Sequence, residues 1–321
     1  MIYLLLYIMQ KGLVIKSTGS WYKVKGEDEK FYDCRIKGKF RIKGIKTTNP
    51  IAVGDEVEFS GKEEEFVINN ILPRKNYIIR KSVNLSKQSQ IIASNLDQAL
   101  LIVTLASPPT STGFIDRFLV TAEAYQIPVT IVFNKIDIYT EQEREKLEYL
   151  IGTYFGIGYN CIEVSATEDI NTNKVKSLLK NKTTLLSGHS GVGKSTLVNA
   201  IDPNLDLRTQ EVSEYHSKGQ HTTTFAELFE LDFGGNIIDA PGIKGLGIID
   251  IEREELSHYF VEIKELSQDC KFNNCMHLKE PKCAVKNALE TGELSEERYK
   301  SYISILEELN SDSNFRVDIY K

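Results

Sequence analysis

The stretch "GHSGVGKS", residues 188–195, sets glycines, a lysine and a serine at the spacing G-x-x-x-x-G-K-S. Residues of these types at this spacing hold polyphosphates. Gly188, Gly191 and Gly193, with Ser190 and Val192 between them, let the backbone turn its amides inward as an anion cradle at a helix N-terminus. Lys194 would reach the β- and γ-phosphates, Ser195 would ligate Mg²⁺, and Thr196 belongs to the same phosphate site. An apolar strand pattern precedes the loop and a helix pattern follows it, as the motif requires.

A carboxylate for the metal is expected at the end of a later strand. "NIIDAPG" supplies Asp239, and places Gly242 where its amide could meet the γ-phosphate. Between the two lies "GQHTTT", residues 219–224, whose Thr223, flanked by Thr222 and Thr224, would add its hydroxyl to the metal while the γ-phosphate is present. Upstream, "FNKID" at 133–137 closes another apolar strand. Asp137 would accept both the ring N–H and the exocyclic amine of guanine, Asn134 would tie the base loop to the phosphate loop, and Lys135 would lay its stem along the nucleotide. "VSA" closes the next strand, and there Ser165 and the Ala166 amide complete a purine pocket. Ligands of parallel sheets bind outside the carboxyl ends of the strands. The three motifs converge there on GTP and GDP.

Their order is inverted, because the base reader precedes the phosphate loop by about fifty residues. Contacts in space do not record chain order, and circular permutation is tolerated where old termini lie close together. The attacking water needs an orienting group, and Ile243 after Gly242 cannot supply one. His221 is the nearest polar candidate, with Lys194 and Thr223 completing the catalytic set.

A second cluster is of another kind. Cys270, Cys275, His277 and Cys283 offer three thiolates and an imidazole within fourteen positions, which suits a closed tetrahedral Zn²⁺. The loop that carries them, with Asn273, Asn274, Lys279, Pro281 and Lys282, has almost nothing apolar to bury and needs a staple. Cys34 and Cys161 stand apart, and no secretory signal accompanies a disulfide framework.

The elements that must position these groups divide the chain in three. Residues 1–72 read as a small all-β unit. Within it, "CRIKGKFRIKG" alternates Arg35, Lys37, Lys39, Arg41 and Lys43 with Ile36, Phe40 and Ile42, giving one cationic and one apolar face. Trp21, Tyr22, Phe31 and Tyr32 could supply stacking surfaces beside it. A basic, aromatic-flanked barrel of this size resembles an OB-fold, a binder of RNA and single strands. Residues 73–249 begin with a connector, "PRKNYIIRK", and continue as alternating strands and helices, which predicts a parallel sheet covered on both faces. Residues 250–321 read as helical and end in an amphipathic helix whose Tyr299, Tyr302, Ile303, Leu306 and Leu309 share a face. The chain is therefore expected to be multidomain, with an N-terminal all-β OB-like barrel, a central circularly permuted α/β P-loop GTPase domain and a C-terminal α-helical zinc-binding domain.

Charge follows the same division: +2 in residues 1–72, −2 in 73–249 and −6 in 250–321. The opening "MIYLLLYIM" is far short of the ~20 residues of a spanning helix. It also lacks the basic leader and cleavage site of a signal peptide, so the expectation is a cytoplasmic protein with no membrane partner.

Together, "GHSGVGKSTL", "GQHTTT", "DAPG" and the cysteine spacing resemble the bacterial circularly permuted GTPases of late small ribosomal subunit maturation. That resemblance covers the chain from about residue 10. It implies binding to the small subunit and its rRNA, ribosome-stimulated GTP hydrolysis that times release, and a role for His221, since the family has His at the matching place; the chain is expected to be a monomer. Two other readings stay open on the residues alone: a GTP-dependent RNA-binding module whose hydrolysis is incidental, and, if "NKID" is a coincidence, an ATP-using P-loop enzyme.

Overall fold

The computed structural model describes residues 9–36, 50–62, 65–81, 89–205, 207, 226–239 and 251–317. His221, Thr223, Gly242 and the cationic positions from Lys37 to Lys43 lie outside them, as do residues 1–8.

Five strands, β1 (Gln10–Ser17), β2 (Tyr22–Gly26), β3 (Phe31–Ile36), β4 (Glu56–Lys62) and β5 (Glu65–Ile71), form the N-terminal unit. Their order is β1-β2-β3-β5-β4, and β4 pairs back on β1, so the sheet closes into a barrel with β3 and β5 as its one parallel pair. This is the OB-like arrangement. Val14, Tyr22, Val24, Cys34, Val57, Phe59 and Ile68 fill it. Tyr22 is therefore no stacking platform. It is fully buried, its neighbour Trp21 points outward at 42% exposure, and Tyr32 packs on Phe59 and Phe66. Arg35 is exposed and Ile36 turns inward, as strand alternation requires.

The segment after the barrel, expected as a connector, is a hairpin of β6 (Tyr77–Lys81) and β7 (Ser89–Ser94). Then come β8 (Gln98–Val103), α1 (Thr112–Ala124), β9 (Val129–Phe133), α2 (Glu141–Gly156), β10 (Asn160–Glu163), α3 (Thr172–Leu179), β11 (Thr183–Ser187) and α4 (Lys194–Ile201), followed by β12 (Glu227–Glu230) and β13 (Asn236–Asp239). β8 and β9 are buried along their whole length, the mark of central strands covered on both faces. The order β10-β9-β8-β11-β13 is parallel throughout, and β12 adds antiparallel at the edge. The helices start where local chemistry allows: Ser111 caps α1, and Thr140 and Glu143 form a capping box on α2.

β12 also touches β1, so the barrel extends the sheet. Lys16 and Lys25 bond Glu227 and Glu230 across that seam, at 2.8 and 2.6 Å. Behind it, the buried Asp55 carboxylate accepts Arg74 Nε and Nη2, both at 2.6 Å, Ser94 Oγ at 2.6 Å and the Ala52 amide at 2.8 Å. Every acceptor direction of that carboxylate is in use, so the barrel is fixed by polar contacts as well as by strands.

At the other end, α5 (Val261–Ser267), α6 (Ala284–Thr291) and α7 (Glu296–Val317) build a helical unit around Leu256, Phe260, Ile263, Tyr302 and Leu306. Val120 of α1 belongs to the same core. Among the described residues no helix is long and apolar enough to cross a membrane.

Candidate functional site

The carboxyl ends of β9, β10, β11 and β13 lie along one edge of the sheet, and the groups with phosphate and base chemistry sit there. Leu186 is in register with Asp239, so the carboxylate stands beside the start of the 188–195 loop. Gly188 has φ 143°, and a side chain there would strike Ile102 O at 2.2 Å. Gly193 has φ 90°, and a Cβ would come within 2.4 Å of Asn134 Nδ2. Only glycine admits that approach.

Asn134 is buried and joins the two halves of the site. Its Nδ2 donates to Val192 O at 2.8 Å, and its Oδ1 accepts the Ala166 amide at 3.3 Å. The residue itself is held from behind, where Tyr139 OH donates to Asn134 O at 2.6 Å and accepts the Leu105 amide at 2.9 Å. Asp137 stays exposed with its carboxylate accepting from Ser165 Oγ at 2.5 Å. Lys135, in the left-handed region at φ 63°, reaches back to Ser107 O at 2.6 Å. Burial lowers its pKa against the pull of Asp137.

In the phosphate loop, Lys194 Nζ donates to the carbonyls of Gly188 and His189 at 2.8 and 2.9 Å. Burial lowers the Lys194 pKa and raises that of Asp239, each partly offset by the other's charge. Asp239 Oδ1 and Ser187 Oγ are buried without a hydrogen-bond partner among the described residues. A desolvated carboxylate oxygen with nothing to accept beside a glycine-lined amide cradle fits a hydrated Mg²⁺ and phosphate oxygens. Ser190 is exposed at the loop's mouth, and Ser195 and Thr196 open α4 half-buried.

The family model described as RsgA GTPase matches residues 71–249, and that of the RsgA N-terminal domain matches 11–66. The chain belongs to the RsgA GTPase family. A small ribosomal subunit biogenesis GTPase RsgA of Christiangramia forsetii is 59% identical, over 97% of this chain and 99% of its own. One from Flavobacterium psychrophilum is 57% identical over 96% and 95%. Among solved structures, YjeQ from Thermotoga maritima aligns with TM-score 0.74 at 38% identity, covering 94% of this chain and 99% of that one. YloQ, described as a circularly permuted GTPase, aligns with TM-score 0.71 at 34% identity, covering 97% and 99%. Like YloQ, this RsgA GTPase is circularly permuted, since the strand leading into the phosphate loop, β11, follows the base-loop strands β9 and β10. The RsgA assignment sets the reaction, hydrolysis of GTP to GDP and phosphate, and with it Mg²⁺.

The cysteine cage of this RsgA chain belongs to the core of the C-terminal helices, which Cys270, Cys275 and Cys283 join. Cys270, Cys275, His277 and Cys283 bring their ligand atoms within 4.8 Å of one another. Cys270 Sγ lies 3.9 Å from Cys283 Sγ and 3.7 Å from His277 Nδ1, which is 3.4 Å from Cys283 Sγ. A tetrahedron with metal–sulfur bonds of ~2.3 Å has edges of about 3.8 Å, so the donors fit one Zn²⁺. Burial pushes the Cys275 thiol up to about 12, a cost that a divalent cation in the cage would remove. Sequence reasoning missed what carries the loop. Glu280 accepts the amides of Met276, Leu278 and Lys279 at 2.9, 2.8 and 3.0 Å, and Tyr299 and Tyr302 of α7 donate to the carbonyls of His277 and Met276. A Glu inside a Cys/His loop of few apolar residues is the signal that could have found it.

Proposed function

We propose that this GTPase docks on the small ribosomal subunit and its rRNA late in the subunit's maturation, and that hydrolysis times its release. The nucleotide half of this reading is supported most directly by the bond from Asn134 to Val192 O, which sets the base loop against the phosphate loop on one sheet edge. Relatives named for small-subunit biogenesis, similar along nearly the whole chain, supply the particle.

In this reading Asp137 accepts the guanine donors, with Ser165 and the Ala166 amide around the purine, Asn134 bracing the pocket and Lys135 along the nucleotide. The amides of Gly188, Ser190, Gly191, Val192 and Gly193 hold the phosphates with Lys194 and Thr196, and the Gly242 amide meets the γ-phosphate. Ser195, Thr223 and Asp239 hold Mg²⁺, which offsets phosphate charge. His221 orients the attacking water, and Lys194 and Thr223 complete the catalytic set. Cys270, Cys275, His277 and Cys283 close a structural zinc site with no position left for water.

RNA contact falls to the barrel, where the Arg35 guanidinium lies 3.8 Å over the Trp21 ring and Lys23 stands 5.8 Å from that of Phe31, which is 57% exposed. Exposed rings beside cations stack bases and neutralise phosphates. The division into 1–72, 73–249 and 250–321, a monomeric state and a cytoplasmic place complete the proposal.

The test is His221→Ala in single-turnover hydrolysis on small subunits, with GTP affinity and subunit binding measured alongside. A loss of ~10³-fold in stimulated rate with both bindings kept supports the assignment. A normal stimulated rate excludes His221. If small subunits do not stimulate the unaltered protein, the timing role gives way to an RNA-binding module whose hydrolysis is incidental.

A further inference from the structure

The first turn of α1 lies between the phosphate loop and the C-terminal helices. On one side, the Phe114 ring stacks on the His189 imidazole, with centroids 3.8 Å apart and planes 32° from parallel. His189 is the second residue of the loop, and its carbonyl, with that of Gly188, holds Lys194 Nζ. Phe114 therefore packs on the loop residue whose carbonyl helps to hold the Lys194 ammonium.

Two residues on, about 200° around the helix, Asp116 leaves the opposite side. It is fully buried and its Oδ1 accepts Arg298 Nη1 at 2.7 Å and Tyr154 OH at 2.8 Å. Arg298, on α7 and 2% exposed, donates Nε and Nη2 to the two oxygens of Glu262 on α5, at 2.7 and 2.9 Å. Its guanidinium lies 4.7 Å over the Phe260 ring. Against the desolvation that would lower it, Asp116 and Glu262 raise the Arg298 pKa and keep the fork charged. Arg117, the next residue of α1, bonds Glu308 on α7 at 2.7 Å.

For stability alone, apolar side chains of the same volume would serve this interface as well or better. A guanidinium bonded to carboxylates on two other helices does something they cannot: it admits one relative orientation of α1, α5 and α7. The helix so fixed is the one that presents Phe114 to the phosphate loop.

We propose that Arg298, acting through Asp116 and Phe114, is a positioning residue for the phosphate loop, so that the seating of the C-terminal helices on α1 sets how well the loop holds GTP. This rests on the reading of residues 188–195 as the phosphate loop.

Steady-state hydrolysis of the intact protein at varied GTP tests it. Phe114→Leu should raise KM about tenfold with kcat kept, the pattern of lost uniform binding, at an unchanged melting temperature, and Phe114→Tyr should restore it. Arg298→Lys keeps the charge and loses the fork. It should raise KM similarly, and add nothing further in the Phe114→Leu background. Asp116→Asn takes its place in the cycle if Arg298→Lys does not fold. An unaltered KM in Phe114→Leu, or effects that simply add, would overturn the positioning role. Lys194→Ala separates the two claims: normal GTP binding there sinks the phosphate-loop reading itself, whereas lost binding beside an unaltered Phe114→Leu sinks the positioning role alone.

Discussion

The nucleotide edge and the cysteine cage both gather buried polar atoms, but different parts of the chain hold them in place. At the edge, main-chain ladders do the positioning: β8, β9, β10, β11 and β13 pair in parallel, and the loops leave from their ends. The side chains there also have partners inside the protein. Lys194 turns back to two carbonyls, Asn134 spans to Val192 and Ser165 reaches Asp137. At the cage, residues 270–283 form turns without a strand or helix, and the loop is held by Glu280, two phenols and the four would-be ligands themselves. A ligand at the first place is a guest of a finished framework. At the second it is part of the framework.

That difference is broken most directly by taking the ligands away. Chelation of the metal should unfold the segment around 270–294 locally, because structural zinc contributes on the order of 10 kcal/mol to such loops. Removal of nucleotide should leave the sheet intact. Hydrogen exchange on both forms checks this, and equal protection of 270–294 with and without metal would put the two sites in one class.

The base end of the guest site sharpens the contrast next. Asp137→Asn keeps the shape but cannot accept two donors, so GDP affinity should fall about 10³-fold while xanthosine diphosphate gains. Calorimetric titration with both nucleotides reads it, with the fold unchanged by circular dichroism. A retained preference for GDP would remove guanine reading from Asp137.

The cage should respond to a residue that touches no metal. Glu280→Ala strips three amides of their acceptor, and zinc affinity should drop ~10- to 100-fold, as it does when the groups behind metal ligands are removed. Competition against a zinc-sensitive dye measures it. Unchanged affinity would mean that the four ligands alone shape the loop.

How much of this the sequence conveyed depends on range. The 188–195 loop, the strand-end motifs at 134–137 and 165–166, and the 270–283 spacing are each local, and their place after apolar strands or in a core-poor loop was readable. Other features were not. The segment 77–81 looked like a connector because Ile78 and Ile79 are both buried, each in a different core, which erases the period-2 signal of a strand. Trp21 and Tyr22 are adjacent, so one faces in and one out, and composition does not say which. Arg298 and Asp116 are 182 positions apart, and no local pattern announces a pair at that separation. The barrel's place at the end of the GTPase sheet rests on equally distant pairs, Lys16 opposite Glu227, Lys25 with Glu230 and Asp55 with Ser94, and has the same limitation.

The smallest effect expected tests the idea of a finished framework at its costliest atom. Asp239 is a carboxylate whose pKa burial raises, and its Oδ1 has no hydrogen-bond partner among the described residues. A fold that needed no guest would have little use for such a group, since a buried carboxylate oxygen without a hydrogen bond is destabilising even where the Lys194 charge offsets part of the cost. Asp239→Asn keeps the volume and drops the charge. In nucleotide-free, Mg²⁺-free buffer the variant should therefore be more stable than the parent by on the order of 1 kcal/mol and melt at a higher temperature, the usual exchange of stability for function at a ligand site. With Mg²⁺ and a non-hydrolysable GTP analogue the order should reverse, because the parent gains binding free energy that the amide cannot match. Differential scanning fluorimetry in the two buffers shows both signs. A variant that melts lower than the parent in both would mean that Asp239 supports the sheet rather than waiting for a cation.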